Sequence, residues 1–318
     1  MQKKLLIYTL RRALESLGTF LAVLILNFML IHSAPGDPAL IMAGEYATPE
    51  IIAATRARWG LDQPLTVQLY TYVSGVFRGD LGYSLDFNKP VLDVIVSRLP
   101  NTLVLVIPVM IIGLALGLML GALAARHLGT RIDSGLQILA LVLYSAPTFW
   151  LGLVLLEVFA IDLGWFPLLG GGLVGSLQSI LWHIALPVLA LIAAWTTPIF
   201  MRLTRSSMMD VLKEDYITTS KAVGYPDSVI FYRHALRNAL LPSVTMLGLM
   251  VGTIFSGVVL LETVFSWPGL GLLLLEAINA RDYPLLMGMF TIIAVAVSIS
   301  MFVTDLLYAL LDPRITYR

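Results

Sequence analysis

The side chains of this sequence that are able to carry chemistry are few and scattered. Its four histidines, His32, His127, His183 and His234, include no pair at the spacing that puts two imidazoles on one helix face around a metal. No cysteine is present, which removes thiolate nucleophiles, iron–sulfur ligation and disulfide scaffolds together. A Gly-x-x-x-x-Gly-Lys-Ser/Thr loop, whose amides would cradle the phosphates of ATP, is missing, as is a Gly-x-Ser-x-Gly elbow. No catalytic, cofactor-binding or metal-binding residue is therefore expected, and the chain does not read as an enzyme.

Composition explains the scarcity. Of 318 residues, 58% are hydrophobic and 13% charged, with a mean hydropathy of +0.88, where a soluble domain carries about 25% charged residues. So few charges cannot cover a soluble surface. Six windows are apolar enough to match the roughly 20 residues that cross a bilayer: 10–31, 103–125, 135–159, 180–200, 240–261 and 283–311. The expected fold is an all-α polytopic membrane protein with six transmembrane helices and the lipid bilayer as its solvent. The first window lacks a small-residue cleavage pattern after it and reads as a retained span. Glu157 and Asp305 are the isolated carboxylates near span ends. They fit snorkelling or pairing with another helix better than a proton relay, because no second carboxylate stands at matching depth. No break or charge is expected at the middle of a span.

Orientation follows from the cations. Fourteen of the 20 Lys and Arg residues, but only eight of the 20 acidic ones, fall before the first span, between spans two and three, between spans four and five, or after the sixth. The positive-inside rule then places both termini in the cytoplasm. The net charge of zero hides this asymmetry and supplies no global basic field for nucleic acid. The chain divides into a cytoplasmic N-terminus with the first helix (1–32), a partly folded extracytoplasmic region (33–100) and a five-helix core (101–318). In the outer region Thr48 and Pro49 suit the N-cap and first position of a short helix. Gly113, Gly117 and Gly121 in the second span, and Gly248 and Gly252 in the fifth, recur every four residues, a spacing that lets helices approach closely in lipid. The outer connection 262–282 reads as turn-rich, with Trp267 at the membrane interface.

The connection 201–239 has the composition of a helix–bend–helix unit. Gly224 suits a C-terminal cap and Pro226 the first position of the next helix. Val229, Tyr232, Leu236 and Ala239 then share one face, with Arg233 and Arg237 on another. Such a unit is a short rigid knob.

This connection resembles the cytoplasmic coupling loop of ABC-importer permeases of the dipeptide, oligopeptide and nickel family. The likeness rests on the run from Arg202 to Ser207, on Glu214-Asp215-Tyr216, on Thr219 and Ala222 before Gly224, and on the run from Arg233 and His234 through Arg237 to Pro242. It extends to Pro35-Gly36-Asp37-Pro38, Gly60-Leu61-Asp62-Gln63-Pro64, Gly79-Asp80-Leu81-Gly82, Phe265-Ser266-Trp267-Pro268-Gly269-Leu270-Gly271, Arg281-Asp282-Tyr283-Pro284 and Asp312-Pro313-Arg314, so it covers essentially the whole chain. The family's Glu-Ala-Ala-x-x-x-Gly motif aligns with Gly224 as its glycine. Thr218, Thr219 and Ser220 stand where Glu-Ala-Ala would be, so no salt-bridge role carries over to that position.

The resemblance implies a permease subunit forming half of a translocation pathway in the inner membrane. Its implied partners are a second homologous permease, two cytoplasmic ABC ATPase subunits that bind ATP and magnesium, and an extracytoplasmic substrate-binding protein. Its implied coupling residues are Glu214, Asp215, Tyr216, Thr219, Ser220, Ala222, Gly224, Pro226, Asp227, Arg233, His234 and Arg237. Short peptides are the expected cargo, because the clean spans offer no ligands for a bare metal ion; nickel chelate and glutathione are the alternatives within the same machinery. From another class, a self-sufficient secondary transporter or channel would require mid-span charges or broken helices. The outer region and the stretch near Trp267 are expected to meet the binding protein.

Overall fold

The computed structural model describes residues 2–33, 37, 39–40, 47–58, 60–168, 170–173 and 175–311, with the side chains of 2–8, 31, 58, 251–257 and 306–311 outside that description. Pro35, Gly36, Pro38, Tyr46 and Asp312-Pro313-Arg314 therefore lie outside the described residues, as does the packing of Gly252. Helix α1 (Gln2–His32) is followed by short α2 (Pro49–Arg58), α3 (Leu65–Phe77) and a two-residue antiparallel hairpin, β1 (Tyr83–Ser84) with β2 (Lys89–Pro90). The bundle then comprises α4 (Val91–Arg126), α5 (Arg131–Ser145), α6 (Thr148–Asp162) and α7 (Leu177–Val211). Helices α8 (Asp215–Ala222) and α9 (residues 227–239) precede α10 (Leu241–Val264), α11 (Leu270–Ala280) and α12 (Tyr283–Leu311). Among the described residues, α1, α4, α7 and α12 are long and apolar enough to cross a membrane, and α5 with α6 make a fifth span if the bent pair is taken as one. The chain is an all-α polytopic membrane protein.

The third span was expected to be one helix, and it is not. Helices α5 and α6 meet at 96° across Ala146 and Pro147. Pro147 has no N–H to continue α5 and excludes helical geometry from the residue before it; Ala146 accordingly adopts φ −77° and ψ 128°. The Ser145 hydroxyl donates to the Leu141 carbonyl at 2.7 Å, occupying one acceptor that the break leaves open. The expectation of unbroken spans is corrected here.

Helix α4 packs along α7 through its glycines. Leu105, Val109, Gly113, Gly117 and Gly121 are buried at four-residue intervals. A Cβ at Gly113 would fall inside the Thr196 side chain, one at Gly117 would overlap Phe200, and one at Gly121 would lie 2.6 Å from the Met201 carbonyl oxygen. Gly248 of α10 meets Thr304 of α12 in the same manner, and its carbonyl accepts from the Ser300 hydroxyl at 2.9 Å. Close approach of this kind maximises van der Waals contact, the force left to helices in lipid.

At the opposite end from α8 and α9, the hairpin end, two further expectations change. The stretch 262–282 contains α11, and Trp267 is fully buried in the main core with Leu105, Leu191 and Leu261. Its indole N–H donates to the Asn101 carbonyl at 2.9 Å, so the ring is a core residue and not an interfacial anchor. The outer helix α2 does start at Pro49, where the Ile51 amide donates to the Thr48 hydroxyl at 3.5 Å. Helix α3 is tied to the bundle through Tyr72, whose hydroxyl lies 2.7 Å from that of Thr291 and receives the Asn27 amide at 3.0 Å.

The glycine contact makes a testable demand. Gly117→Ala is expected to destabilise the protein by about 1–3 kcal/mol through overpacking, seen as a lowered unfolding midpoint in detergent. Gly135→Ala, where a Cβ meets nothing within 4 Å, is expected to leave the midpoint unchanged or slightly raised.

Candidate functional site

The knob grows directly out of α7. That helix continues past its apolar stretch to Val211, turns at Leu212–Glu214 and re-enters helix at Asp215. Glu214 occupies the N-cap position of α8, and Asp215 and Asp227 stand in the first turns of α8 and α9. Carboxylates at those places complement the positive ends of the helix dipoles. Arg233, His234 and Arg237 lie in the later turns of α9, near the negative end.

Gly224 forms the bend. Its N–H donates to Lys221 and that of Tyr225 to Ser220, at 3.0 and 3.2 Å. This pair of bonds is a Schellman closure, which needs a residue in left-handed geometry; Gly224 has φ +90°. Pro226 is the N-cap of α9, one place earlier than expected, with Asp227 as the first helical residue. The shift follows from Pro226 having an extended ψ of 143°.

The buried face of α9 also differs from expectation. A π-turn over Ile230–Ala235 inserts an extra residue, so Ile230, Ala235 and Ala239 are buried while Tyr232 is half exposed. They pack with Met208 of α7, Ile217 of α8 and Ala125 of α4 into a small core of their own. Tyr216 bridges the two short helices: its hydroxyl accepts from the Asn238 amide at 2.7 Å and donates to the His234 carbonyl at 3.4 Å. The Thr219 and Ser220 hydroxyls turn back onto the carbonyls of Asp215 and Tyr216. The Arg126 guanidinium at the end of α4 donates to the Tyr232 hydroxyl at 2.9 Å. The tip is left open: Ala222, Gly224 and Pro226 are exposed, with Val223 at 70% and Tyr225 at 50% exposure. The arrangement is a rigid body rooted in α4 and α7 whose apolar tip faces away from the bundle.

Sequence reasoning missed the side chains that brace this body. Arg205 of α7 forks onto Asp133 of α5 through Nε at 2.6 Å and Nη2 at 2.8 Å. Asp133 is 3% exposed and also accepts the Gly129 amide at 3.0 Å. Both residues had counted only for the sign of their charge, because their pairing depends on how α5 and α7 lie against one another. At the hairpin end, Glu262 is buried and accepts from the Thr102 hydroxyl at 2.8 Å and the Leu272 amide at 3.0 Å. Asp282 accepts from the Ser84 hydroxyl and from the amides of Leu85, Asp86 and Leu285. The isolated residues take ordinary partners. Arg12 of α1 pairs with Asp305 of α12 at 3.4 Å, His183 Nδ1 lies 2.7 Å from the Ser179 carbonyl, and Glu157 is exposed. No cluster of three metal-ligating side chains occurs among the described residues.

Comparison with known proteins matches this architecture from end to end. Residues 117–317 fit the family described as binding-protein-dependent transport system inner membrane component, and residues 5–106 fit its N-terminal companion. The chain is 40% identical over 311 residues to the glutathione transport system permease protein GsiC of Salmonella choleraesuis (strain SC-B67), covering 98% of this chain and 99% of that one. It is 38% identical over 318 residues to the oligopeptide transport system permease protein AppB of Bacillus subtilis (strain 168), covering 98% and 99%. It is 39% identical over 337 residues to the dipeptide transport system permease protein DppB of Alkalihalophilus pseudofirmus, covering 98% and 100%. With its spans, its structured knob and its full-length matches, the chain belongs to the binding-protein-dependent inner membrane components, as a multi-pass permease subunit of an ABC importer of the peptide and nickel group.

Proposed function

We propose that this subunit imports short peptides, forming half of the translocation pathway beside a second, homologous permease. Its six spans, with α10 as the fifth, place both termini and the knob in the cytoplasm. Two ATPase subunits binding ATP and magnesium dock on the knob, and a binding protein delivers cargo to the hairpin end. The observation that carries the reading is the knob itself, a self-cored helical body with exposed Val223 and Tyr225 at its tip. A protein without an ATP site of its own needs such a handle.

The mechanism is a population shift. Nucleotide binding draws the ATPase subunits together, the knob follows as a rigid body, and the spans exchange an inward-open for an outward-open arrangement. The Asp133–Arg205 fork joins α5 to the moving helix α7, so the bent third span is carried along. Glutathione is the second reading, favoured by the GsiC relatives at 40% identity; it is itself a tripeptide and changes the cargo without changing the machine. Calorimetry on the cognate binding protein with dipeptides, tripeptides and glutathione decides between them, and a receptor that binds none of these overturns both.

Three outcomes are expected. Gly224→Val places a β-branched residue at φ +90°, a strain of about 1–3 kcal/mol; the variant should insert normally yet hydrolyse ATP without transport, and normal uptake would refute the coupling role. Asp133→Asn leaves Arg205 buried without its counter-charge, a change of the kind that costs about 3–5 kcal/mol, and should lower both the unfolding midpoint and ATP-driven uptake. A photo-crosslinker at exposed Asn88, in the hairpin, should capture the binding protein in the assembled complex; repeated failure to do so removes the hairpin from the docking surface.

A further inference from the structure

Helix α7 has two dissimilar faces over its second half. Phe200, Thr204 and Met208 are buried on the side that meets α4, while Arg202 and Ser206 are exposed on another side. That second side forms one wall of a groove of about 430 Å³, completed by Gln137 and Tyr144 of α5 and Met246 of α10. Arg202 forms no ion pair among the described residues. The acid on the facing helix, Asp133, is already held by both prongs of Arg205.

A polar stripe on a spanning helix faces a bundle interior or a water-filled cavity, because a guanidinium set into lipid costs several kcal/mol. Two backbone features point to the same side. Tyr144 immediately precedes the break in the third span, and irregular backbone at membrane depth is tolerated where it lines a cavity. A π-turn at Ile192–Thr196 in α7 packs against both α5 and α6, and the Thr196 and Thr197 hydroxyls beside it are buried without a hydrogen-bond partner. Such turns concentrate at functional sites.

We propose that this groove is a substrate subsite in which Arg202 receives the terminal carboxylate of a peptide in passage, with Tyr144 and Ser206 flanking it. The inference rests on the peptide reading above. A guanidinium is a planar fork matched to a carboxylate, and every linear peptide presents that group whatever its side chains, so one arginine serves a varied cargo. The volume falls in the range of small-molecule sites and suits a dipeptide or tripeptide. A groove open to the pathway holds its guest weakly enough to release it, as transport requires.

The test uses the full complex in proteoliposomes, with uptake of a tripeptide compared with that of its C-terminal amide at saturating binding protein. Wild type should favour the free acid, and Arg202→Gln should reduce that preference about tenfold, the loss of one charge-assisted contact of about 1.4 kcal/mol. Arg202→Lys keeps the charge but not the fork, and should reduce the preference about threefold; it decides the matter if Arg202→Gln fails to insert. An unchanged acid-to-amide ratio in the inserted variants, or an equal fall for both peptides, overturns the subsite while leaving peptide import intact. A wild-type complex that carries no peptide overturns the peptide reading and this inference with it, so the two failures are separable.

Discussion

The seam between α4 and α7, where Gly113, Gly117 and Gly121 lie against Thr196, Phe200 and the Met201–Thr204 turn, sets the geometry at both ends of the molecule. Helices in lipid gain nothing by hiding apolar surface from one another, so their attachment depends on contact area. Three missing side chains on α4 supply that area over several turns. The closeness has a consequence on the other side of α7. Once one face is committed to α4, the remaining face can bear Arg202 and Ser206, and the end beyond Met208 is free to become the root of the knob. The buried hydroxyls of Thr196 and Thr204 have no hydrogen-bond partner, an unfavourable term of about 1–3 kcal/mol each. Contact at the seam offsets it.

Charge is handled differently at the two ends. At the knob end a buried carboxylate meets a cation, with Asp133 gripped by Arg205. At the hairpin end Glu262 and Asp282 take hydrogen bonds from amides in the first turns of α11 and α12, where the helix dipole favours an anion. The second arrangement pins short outer elements onto the bundle: Asp282 also holds the residues after β1, and Glu262 reaches Thr102 of α4. An amide-capped carboxylate fixes a turn in place. An ion pair between two long helices instead links bodies that can shift together.

Some of this was legible in the sequence for reasons that are local. Gly224 could be read because a helix followed closely by proline needs a left-handed residue between them, and few residues other than glycine suit that geometry. The spacing of Gly113, Gly117 and Gly121 likewise reflects a single helix face. The break before Pro147 was not legible, because Pro108 and Pro187 sit inside unbroken helices and an apolar window does not distinguish them. The inner face of α9 was misread for a similar reason: a 3.6-residue period cannot anticipate the π-turn at Ile230–Ala235. Trp267 followed the rule for interfacial aromatics until Asn101 provided a buried acceptor for its indole. Asp133, Arg205 and Glu262 acquire their roles from partners on other helices, which no local pattern records.

The seam also decides where the molecule can yield. If α4 and α7 cannot slide or separate without losing the glycine contacts, a displacement of the knob moves them as one block. Compliance must then lie elsewhere, and two places offer it. One is the Ala146–Pro147 junction, where α5 and α6 already stand at 96° and no continuous hydrogen-bond ladder resists rotation. The other is the π-turn in α7 itself, whose wider ring can relax toward α-helical geometry with a small change of register. Both border the groove that holds Arg202. The physical link between a cytoplasmic motor and a peptide carboxylate is therefore short: a stiff block, a broken helix tied to it through Asp133, and an arginine on the wall between them.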